Sequence, residues 1–162
     1  MAATTTTMDA DLFRSLLRRH AAGVVVITTG GQTRPAGFTA TSFTSVSLDP
    51  PLVSFCLDRR SSSWPALEQA SHVGVHVLTE SQEELARRFA TSGIDRFAAP
   101  LRWRSGPHDV PVLEGALAVL VCRVAERVHA GDHAIVLAEP IQGEHSDGAP
   151  LLYHNGRYLK AA

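Results

Sequence analysis

The chain has 162 residues, 15 basic and 16 acidic side chains, a formal net charge of −1 and 44% hydrophobic residues. That length fits one domain able to bury a core without staples. The balanced charge, with no basic stripe, argues against nucleic acid as a partner, and no apolar run approaches the roughly 18 residues of a membrane span.

In chain order, "MAATTTTMDA" lacks the basic and apolar regions of a secretory signal. Residues 1–8 are expected to form a disordered tail ahead of one domain over 9–162. Leu12, Phe13, Leu16 and Leu17 recur at helical spacing and predict a helix over about 10–21, stopped by Gly23. "VVVITT" (24–29) reads as a buried strand, and "GGQ" (30–32) as a turn. Next comes "GFTATSFTSVS" (37–47), read as one strand carrying six hydroxyls: Thr39, Thr41, Ser42, Thr44, Ser45 and Ser47. Such a strand is either a solvated edge or a surface that lets a ligand approach the backbone among short polar groups. "DPP" (49–51) must break it, since proline gives no ladder donor, and "LVSFCL" (52–57) is a further strand.

"SSSWPALEQA" (61–70) predicts a short helix capped by Ser61 or Ser62, with Pro65 in its first turn. "HVGVHVL" (72–78) is a strand, and "SQEELARRFA" (81–90) a helix with a capping-box pattern, Ser81 to Glu84, and Leu85 and Phe89 facing the core. A Gly/Pro-containing loop is expected over about 91–111. Two long strands (116–130 and 133–145) meet at Gly131-Asp132, and a short pair (151–154 and 157–159) turns at Asn155-Gly156. Residues 117–125 and 134–141 are apolar on both faces, so the sheet needs cover from barrel closure or a second subunit. The expected class is mainly β, antiparallel and Greek-key-like, with short helices.

Several chemistries find no support. There is no G-x-S-x-G elbow and no G-x-G-x-x-G fingerprint. The carboxylates fall on helix surfaces (Glu68, Glu83, Glu84) or in turns (Asp49, Asp132, Asp147). Cys56 and Cys122 form no metal-like spacing and read as buried free thiols, in keeping with a cytoplasmic location. His72 and His76 share a strand face but lack a third ligand, so no metal is expected. "DRRSSSW" (58–64) is more suggestive, placing two arginines and three serines at a helix start. It suits a phosphate, although capping by one serine would account for part of it. If the chain reverses at 49–51, residues 58–63 emerge near the start of the hydroxyl-rich strand, and one ligand with a flat polar ring and a phosphate could span both.

Taken together, "AGVVVITT", "GFTATSFTSVSLDPPLVSFCLDRRSSSWPAL", "QEELARRFA", "DRF", "GDH" and "PLLYHNGRY" resemble the flavin reductase family over nearly all of the chain after residue 12. The resemblance implies an FMN-binding split β-barrel that forms a homodimer with flavin near the interface. It also implies an NAD(P)H-dependent reductase that passes hydride from NADH or NADPH to FMN or FAD and supplies a partner monooxygenase. By that resemblance, Thr39, Ala40, Thr41 and Ser42 border the isoalloxazine ring, and Cys56 and Asp58 flank the sugar-like chain. Arg59, Ser61, Ser62 and Ser63 meet the phosphate, with Phe89 and Arg96 as further contacts. His133 of "GDH" lies over the flavin face where nicotinamide stacks, and Tyr158 shapes that pocket. Two positions depart from the family pattern: His76, where asparagine is frequent, and Arg60, where a smaller or apolar residue is usual. The competing reading is a split barrel that binds flavin or haem without turnover. An oxidase of the pyridoxamine-phosphate type shares the barrel, but its long basic substrate motifs are not found here.

Overall fold

The computed structural model describes residues 6–30 and 34–162. Residues 1–5 of the expected tail and Gly31-Gln32 of the expected turn lie outside the described residues.

Helix α1 (Ala10–Leu17) is shorter than its apolar spacing suggested; Asp9 caps it by accepting from the backbone of Asp11 and Leu12. None of its residues is buried, and Leu12, Phe13, Leu16 and Leu17 stay 49–55% exposed. After the short β1 (Ala22–Gly23), strand β2 (Val25–Thr29) is buried throughout. Alternation sends Val25 and Ile27 into one core and Val24 and Val26 into another.

The single strand expected over 37–47 is two strands, β3 (Ala36–Ala40) and β4 (Thr44–Leu48), broken at 41–43. They do not continue one another. β4 pairs with β5 (Pro51–Asp58), as the turn at 49–50 implied, but β3 pairs with β2. Helix α2 (Trp64–Gln69) has only six residues. Strand β6 (His72–Val77) follows, then helix α3 (Glu83–Phe89). Neither helix start matches its expected cap: Ser63 and Gln82 hold the cap positions, and neither makes a side-chain cap bond. Gln82 instead accepts from Thr79 N–H at 3.0 Å. The expected loop over 91–111 contains a small hairpin, β7 (Trp103–Ser105) and β8 (Pro111–Leu113), joined through a single 3-10 turn at Pro107–Asp109. The long strands β9 (Ala118–Ala130) and β10 (His133–His145), and the short pair β11 (Leu151–His154) and β12 (Arg157–Lys160), fall where the sequence placed them.

The main sheet is antiparallel and runs β3-β2-β6-β9-β10-β5-β4. Its two edge strands, β3 and β4, are joined by three residues. A flat sheet of seven strands is about 29 Å wide, whereas the chain from Ala40 to Thr44 reaches at most about 15 Å. The edges must therefore come together, and the sheet closes into a barrel. Ser42 marks the seam: its hydroxyl accepts from the Cys56 N–H of β5 at 2.9 Å, beyond the last β4–β5 pair. Phe38, Val53, Phe55, Val73, Val75, Ala134 and Val136 fill the barrel, and Trp64 and Leu67 of α2 pack against this core. A second core under α3 holds Val24, Val26, Leu78, Ala86, Phe89, Leu113 and Leu151.

Cys56 and Cys122 are free thiols, but Cys56, expected to be buried, is only half-buried because it lies on the outward face of β5. Cys122 is buried and its thiol is pushed up to about 12, so it packs as a hydrophobe, as expected. Among the described residues no helix is long and apolar enough to cross a membrane.

Candidate active site

A cleft of about 390 Å³ opens where four segments meet. Phe38 and Thr39 come from β3, and Leu57 and Asp58 from the end of β5. Arg60, Ser61 and Ser62 come from the link to α2, and Phe89, Ala90, Ser92 and Arg96 from α3 and the loop after it. An adjoining hollow of about 330 Å³ shares Ser62 and Arg96 and reaches Gly37, Ser63 and Phe97. The serine-rich link therefore does reach the hydroxyl-rich segment, as the chain reversal implied.

The link is shaped by its own side chains. Asp58 accepts from Arg60 N–H at 2.8 Å, an Asx turn that ends the strand. Ser61 N–H donates to the Asp58 carbonyl at 2.9 Å, and the Ser61 hydroxyl accepts from Ser63 N–H at 3.2 Å. Ser63 is buried and donates its hydroxyl to the Gly37 carbonyl at 3.1 Å, so it ties the link to β3 and does not face the cleft. Arg96 converges on the same carbonyl, with Nη1 2.6 Å from Gly37 O and 3.3 Å from Ser63 Oγ. Burial lowers its pKa, yet an arginine so lowered keeps its charge. Gly37 is required here: a Cβ would stand 2.8 Å from the Phe89 ring and 2.9 Å from the Ile27 carbonyl oxygen.

Of the two neighbouring arginines that the sequence set at the helix start, only one lines the cleft. Arg59, assigned to the phosphate, turns away. Its guanidinium donates to Gly131 O and sits 3.2 Å from His129 Nδ1, on the β9–β10 turn. Arg60 lines the cleft instead and clasps Asp58 with two guanidinium nitrogens, at 2.8 and 3.1 Å. This pairing, with the backbone N–H of Arg60, holds the Asp58 carboxyl well below the usual carboxylate range. The Asx turn at Asp58 folds Arg60 back onto the Asp58 carboxylate at the cleft, while Arg59 reaches across to the β9–β10 turn, a tertiary contact that no local pattern announces.

Asp58 and Cys56 share the outward face of β5, whose alternate residues Val53, Phe55 and Leu57 point into the barrel. His133 lies directly opposite Asp58 in the β10–β5 register and stays exposed, so the two share a face. The structure thus brings Thr39, Asp58, Ser61, Ser62, Phe89 and Arg96 to one cleft and sets His133 and Cys56 beside it. Ala40 is buried in the barrel. Thr41 and Ser42 line a different hollow, of about 740 Å³, with Arg14, Arg18 and Tyr153. Tyr158 lies apart from the cleft, edge-on to Tyr153 with centroids 5.1 Å apart and with the Arg87 guanidinium 5.0 Å over its ring. Arg88 is a residue the sequence did not single out. It donates to the carbonyls of Arg96 at 2.7 Å and Ala98 at 2.6 Å, and so fixes the loop that presents Arg96.

The chemistry of the donor set fits a flavin phosphate: two hydroxyls, Ser61 and Ser62, with the guanidiniums of Arg60 and Arg96. A helix of six residues adds little dipole to this set. The flanking backbone at β3 is a sheet edge, which offers unpaired main-chain groups to a flat polar ring.

Flavin reductase like domain is the family that matches residues 17–162. The chain belongs to that family. It is 45% identical over 153 residues to an NADH:FMN oxidoreductase of Rhodococcus qingshengii, covering 91% of this chain and 80% of that relative. It is 38% identical to HsaB, the reductase subunit of a flavin-dependent monooxygenase from Mycobacterium tuberculosis, covering 93% of this chain and 82% of the relative. Among solved structures, a flavin reductase domain protein from Arthrobacter sp. FB24 superposes with a TM-score of 0.90 at 41% identity, covering 95% of this chain and 96% of that one. The closed seven-stranded sheet is accordingly the split barrel of the flavin reductases, as the sequence motifs implied.

Proposed function

We propose that this flavin reductase oxidises NADH or NADPH, reduces FMN or FAD, and delivers the reduced flavin to a partner monooxygenase. The observation that carries the reading is the meeting of the 58–62 link with β3 at one cleft, with His133 in register beside it. Ser61, Ser62, Arg60 and Arg96 hold the phosphate, and the ring extends from Thr39 at the cleft along the backbone of Ala40 towards Thr41 and Ser42, whose side chains face the separate 740 Å³ hollow. Cys56 and Asp58 flank the chain between ring and phosphate. His133, on the outer face next to Asp58, orients the nicotinamide.

Bound flavin supplies the redox chemistry, accepting hydride from the reduced nicotinamide. The protein's task is to align two flat rings at about 3–3.5 Å and exclude competing reactions. Backbone N–H groups at the β3 edge stabilise negative charge on the reduced ring. No residue of the cleft has to act as a strong general acid, and the cleft residues here are suited to binding anions and dipoles.

The assembly is a homodimer in this reading. Within one chain α1 leaves its apolar face uncovered, Val46 and Leu48 of β4 are 50% and 91% exposed, and Val128 and Ile141 of the long hairpin are 41% and 40% exposed. A second copy covers such surface, and a cytoplasmic location suits free thiols and free nicotinamide.

The test is reduced-nicotinamide oxidation with catalytic protein and excess free FMN or FAD. Turnover with free flavin is expected. A protein that binds flavin but leaves the nicotinamide unoxidised would instead be a non-catalytic flavin carrier.

A further inference from the structure

The turn between β9 and β10 is fastened to the end of β5 by an unusual density of bonds. Arg59 N–H donates to the Asp132 carbonyl at 3.0 Å, and the Arg59 guanidinium donates to Gly131 O. Above this clamp the side chains form a chain of their own. His133 Nδ1 is 2.6 Å from Asp132 Oδ1. Asp132 Oδ2 is 3.3 Å from Arg60 Nη2, and the same Arg60 nitrogen is 2.8 Å from Asp58 Oδ2. Asp58 Oδ1 takes the remaining Arg60 donors, Nε at 3.1 Å and the backbone N–H at 2.8 Å.

One ligand atom each from Asp58, Asp132 and His133 lies within 4.8 Å of the others. All four carboxylate oxygens, however, already accept a proton donor. The cluster is an ion-pair network with both carboxylates taken up, and it leaves two groups open: Nη1 of Arg60, on the cleft side, and the outer nitrogen of His133.

We infer that Asp132 is a positioning residue for His133, and that Arg60 holds Asp132 in place. The inference rests on the reading that His133 faces the nicotinamide. A carboxylate has no proton to donate at neutral pH. The neutral imidazole must therefore carry its proton on Nδ1 and its lone pair on Nε2. That directs an acceptor outward, matched to the N–H2 of a primary carboxamide such as the one on nicotinamide. The opposite tautomer would present a donor and could engage only the carboxamide oxygen. Arg60 contributes by claiming the second Asp132 oxygen, which fixes the carboxylate plane while Asp58 anchors the guanidinium to β5.

The network makes a specific demand on Asp132→Asn. Arg60 still needs an acceptor, so the amide oxygen turns to Arg60 and the amide N–H2 turns to His133. The imidazole proton then moves to Nε2. In Asp132→Ala the ring is released and also favours Nε2–H. Long-range proton–nitrogen NMR of histidine-labelled full-length protein reads the tautomer directly and needs no turnover. The Nδ1–H form is expected in the wild type and the Nε2–H form in both variants; retention of Nδ1–H in either variant overturns the inference. In the activity arm, Asp132→Asn should lower kcat about tenfold while the flavin Kd moves by less than about twofold, since misaligning one orienting group costs rate and not flavin affinity. Arg60→Gln, read at saturating flavin because Arg60 also lines the proposed phosphate site, should give a smaller kcat loss in the same direction. If His133→Ala loses turnover but Asp132→Asn does not, the positioning role is wrong and the nicotinamide-facing role of His133 survives. Full activity in His133→Ala would remove the nicotinamide reading itself, and the role of Asp132 with it.

Discussion

Acid should destabilise this protein in large part through His76. It is fully buried, with Nδ1 3.0 Å from the Val26 carbonyl oxygen and Nε2 3.0 Å from the Leu113 N–H. Since Leu113 can only donate, Nε2 must be an acceptor and the ring is the neutral Nδ1–H form. Burial lowers its pKa from 6.5 to about 4. As pH falls, the unfolded chain takes up a proton below 6.5, whereas the folded chain does so only near 4. Stability is therefore complete above 6.5, declines as pH drops through the interval, and levels off below about 4. The full loss is about 3 kcal/mol, of which about 2 kcal/mol falls between about pH 7.5 and about pH 5. Against a typical total of about 5–15 kcal/mol that is easily measured. His76→Gln supplies a donor and an acceptor but does not titrate. Urea unfolding followed by circular dichroism at the two pH values, at one protein concentration, should show the wild type losing about 2 kcal/mol more than the variant. An equal loss in both proteins would mean that the ionisation of His76 is not the source.

Three further outcomes follow from named contacts. Ser62→Ala should raise the FMN Kd about tenfold, the scale of one charge-assisted hydrogen bond, read by quenching of flavin fluorescence; an unchanged Kd would remove Ser62 from the phosphate site. Arg127 donates through Nε and Nη2 to Leu67 O at 3.1 and 2.8 Å and also reaches Ala70 O, closing the end of α2. Arg127→Ala should therefore cost about 1–3 kcal/mol in urea unfolding, with no cost expected if the carbonyls rehydrate freely. Light scattering should give twice the chain mass for the wild type, and Leu16→Glu with Leu48→Glu should reduce it to one chain; a variant that stays dimeric would place the interface elsewhere.

Much of the fold was legible because local chemistry decided it. The unbroken apolar run of β2 could only be buried on both faces, and both cores claim it. Asn155-Gly156 has the positive φ at both positions that a tight hairpin needs, 52° and 75°. The failures came where tertiary contacts overruled local pattern. Strands of three residues, such as β7 and β8, show no period, so the segment around them read as a loop. The serines before α2 looked like caps of that helix, but the Ser61 hydroxyl accepts from Ser63 N–H and the Ser63 hydroxyl donates to the Gly37 carbonyl. In the site, residue types were legible and directions were not: the sequence could place two arginines at the link but not say which one faces the cleft.

The six hydroxyls of residues 37–47 show why binding and stability are hard to separate in this segment. Thr39 donates to the Ala86 carbonyl at 2.6 Å and so docks α3 on β3. Ser42 closes the barrel through Cys56. Neither hydroxyl is simply waiting for a ligand, and neither decorates a solvated edge. Each makes a bond that sets a wall of the cleft, since α3 carries Phe89 and β5 carries Asp58. Thr41 and Thr44 are exposed at the 740 Å³ hollow and are free of that duty. Polarity at Thr39 and Ser42 is therefore a structural requirement, while bulk at Thr41, exposed at the 740 Å³ hollow, tests the proposed ring position without breaking either bond. Ser42→Ala should lower stability by about 0.5–1.5 kcal/mol by removing the exposed bond to the Cys56 N–H, and flavin affinity should fall with it. Thr41→Leu should leave the unfolding free energy unchanged and still abolish flavin reduction. Urea unfolding and steady-state nicotinamide oxidation on the same two variants separate the effects. Loss of stability in Thr41→Leu, or full activity in it, would show that the hydroxyls are not divided between seam and site in this way.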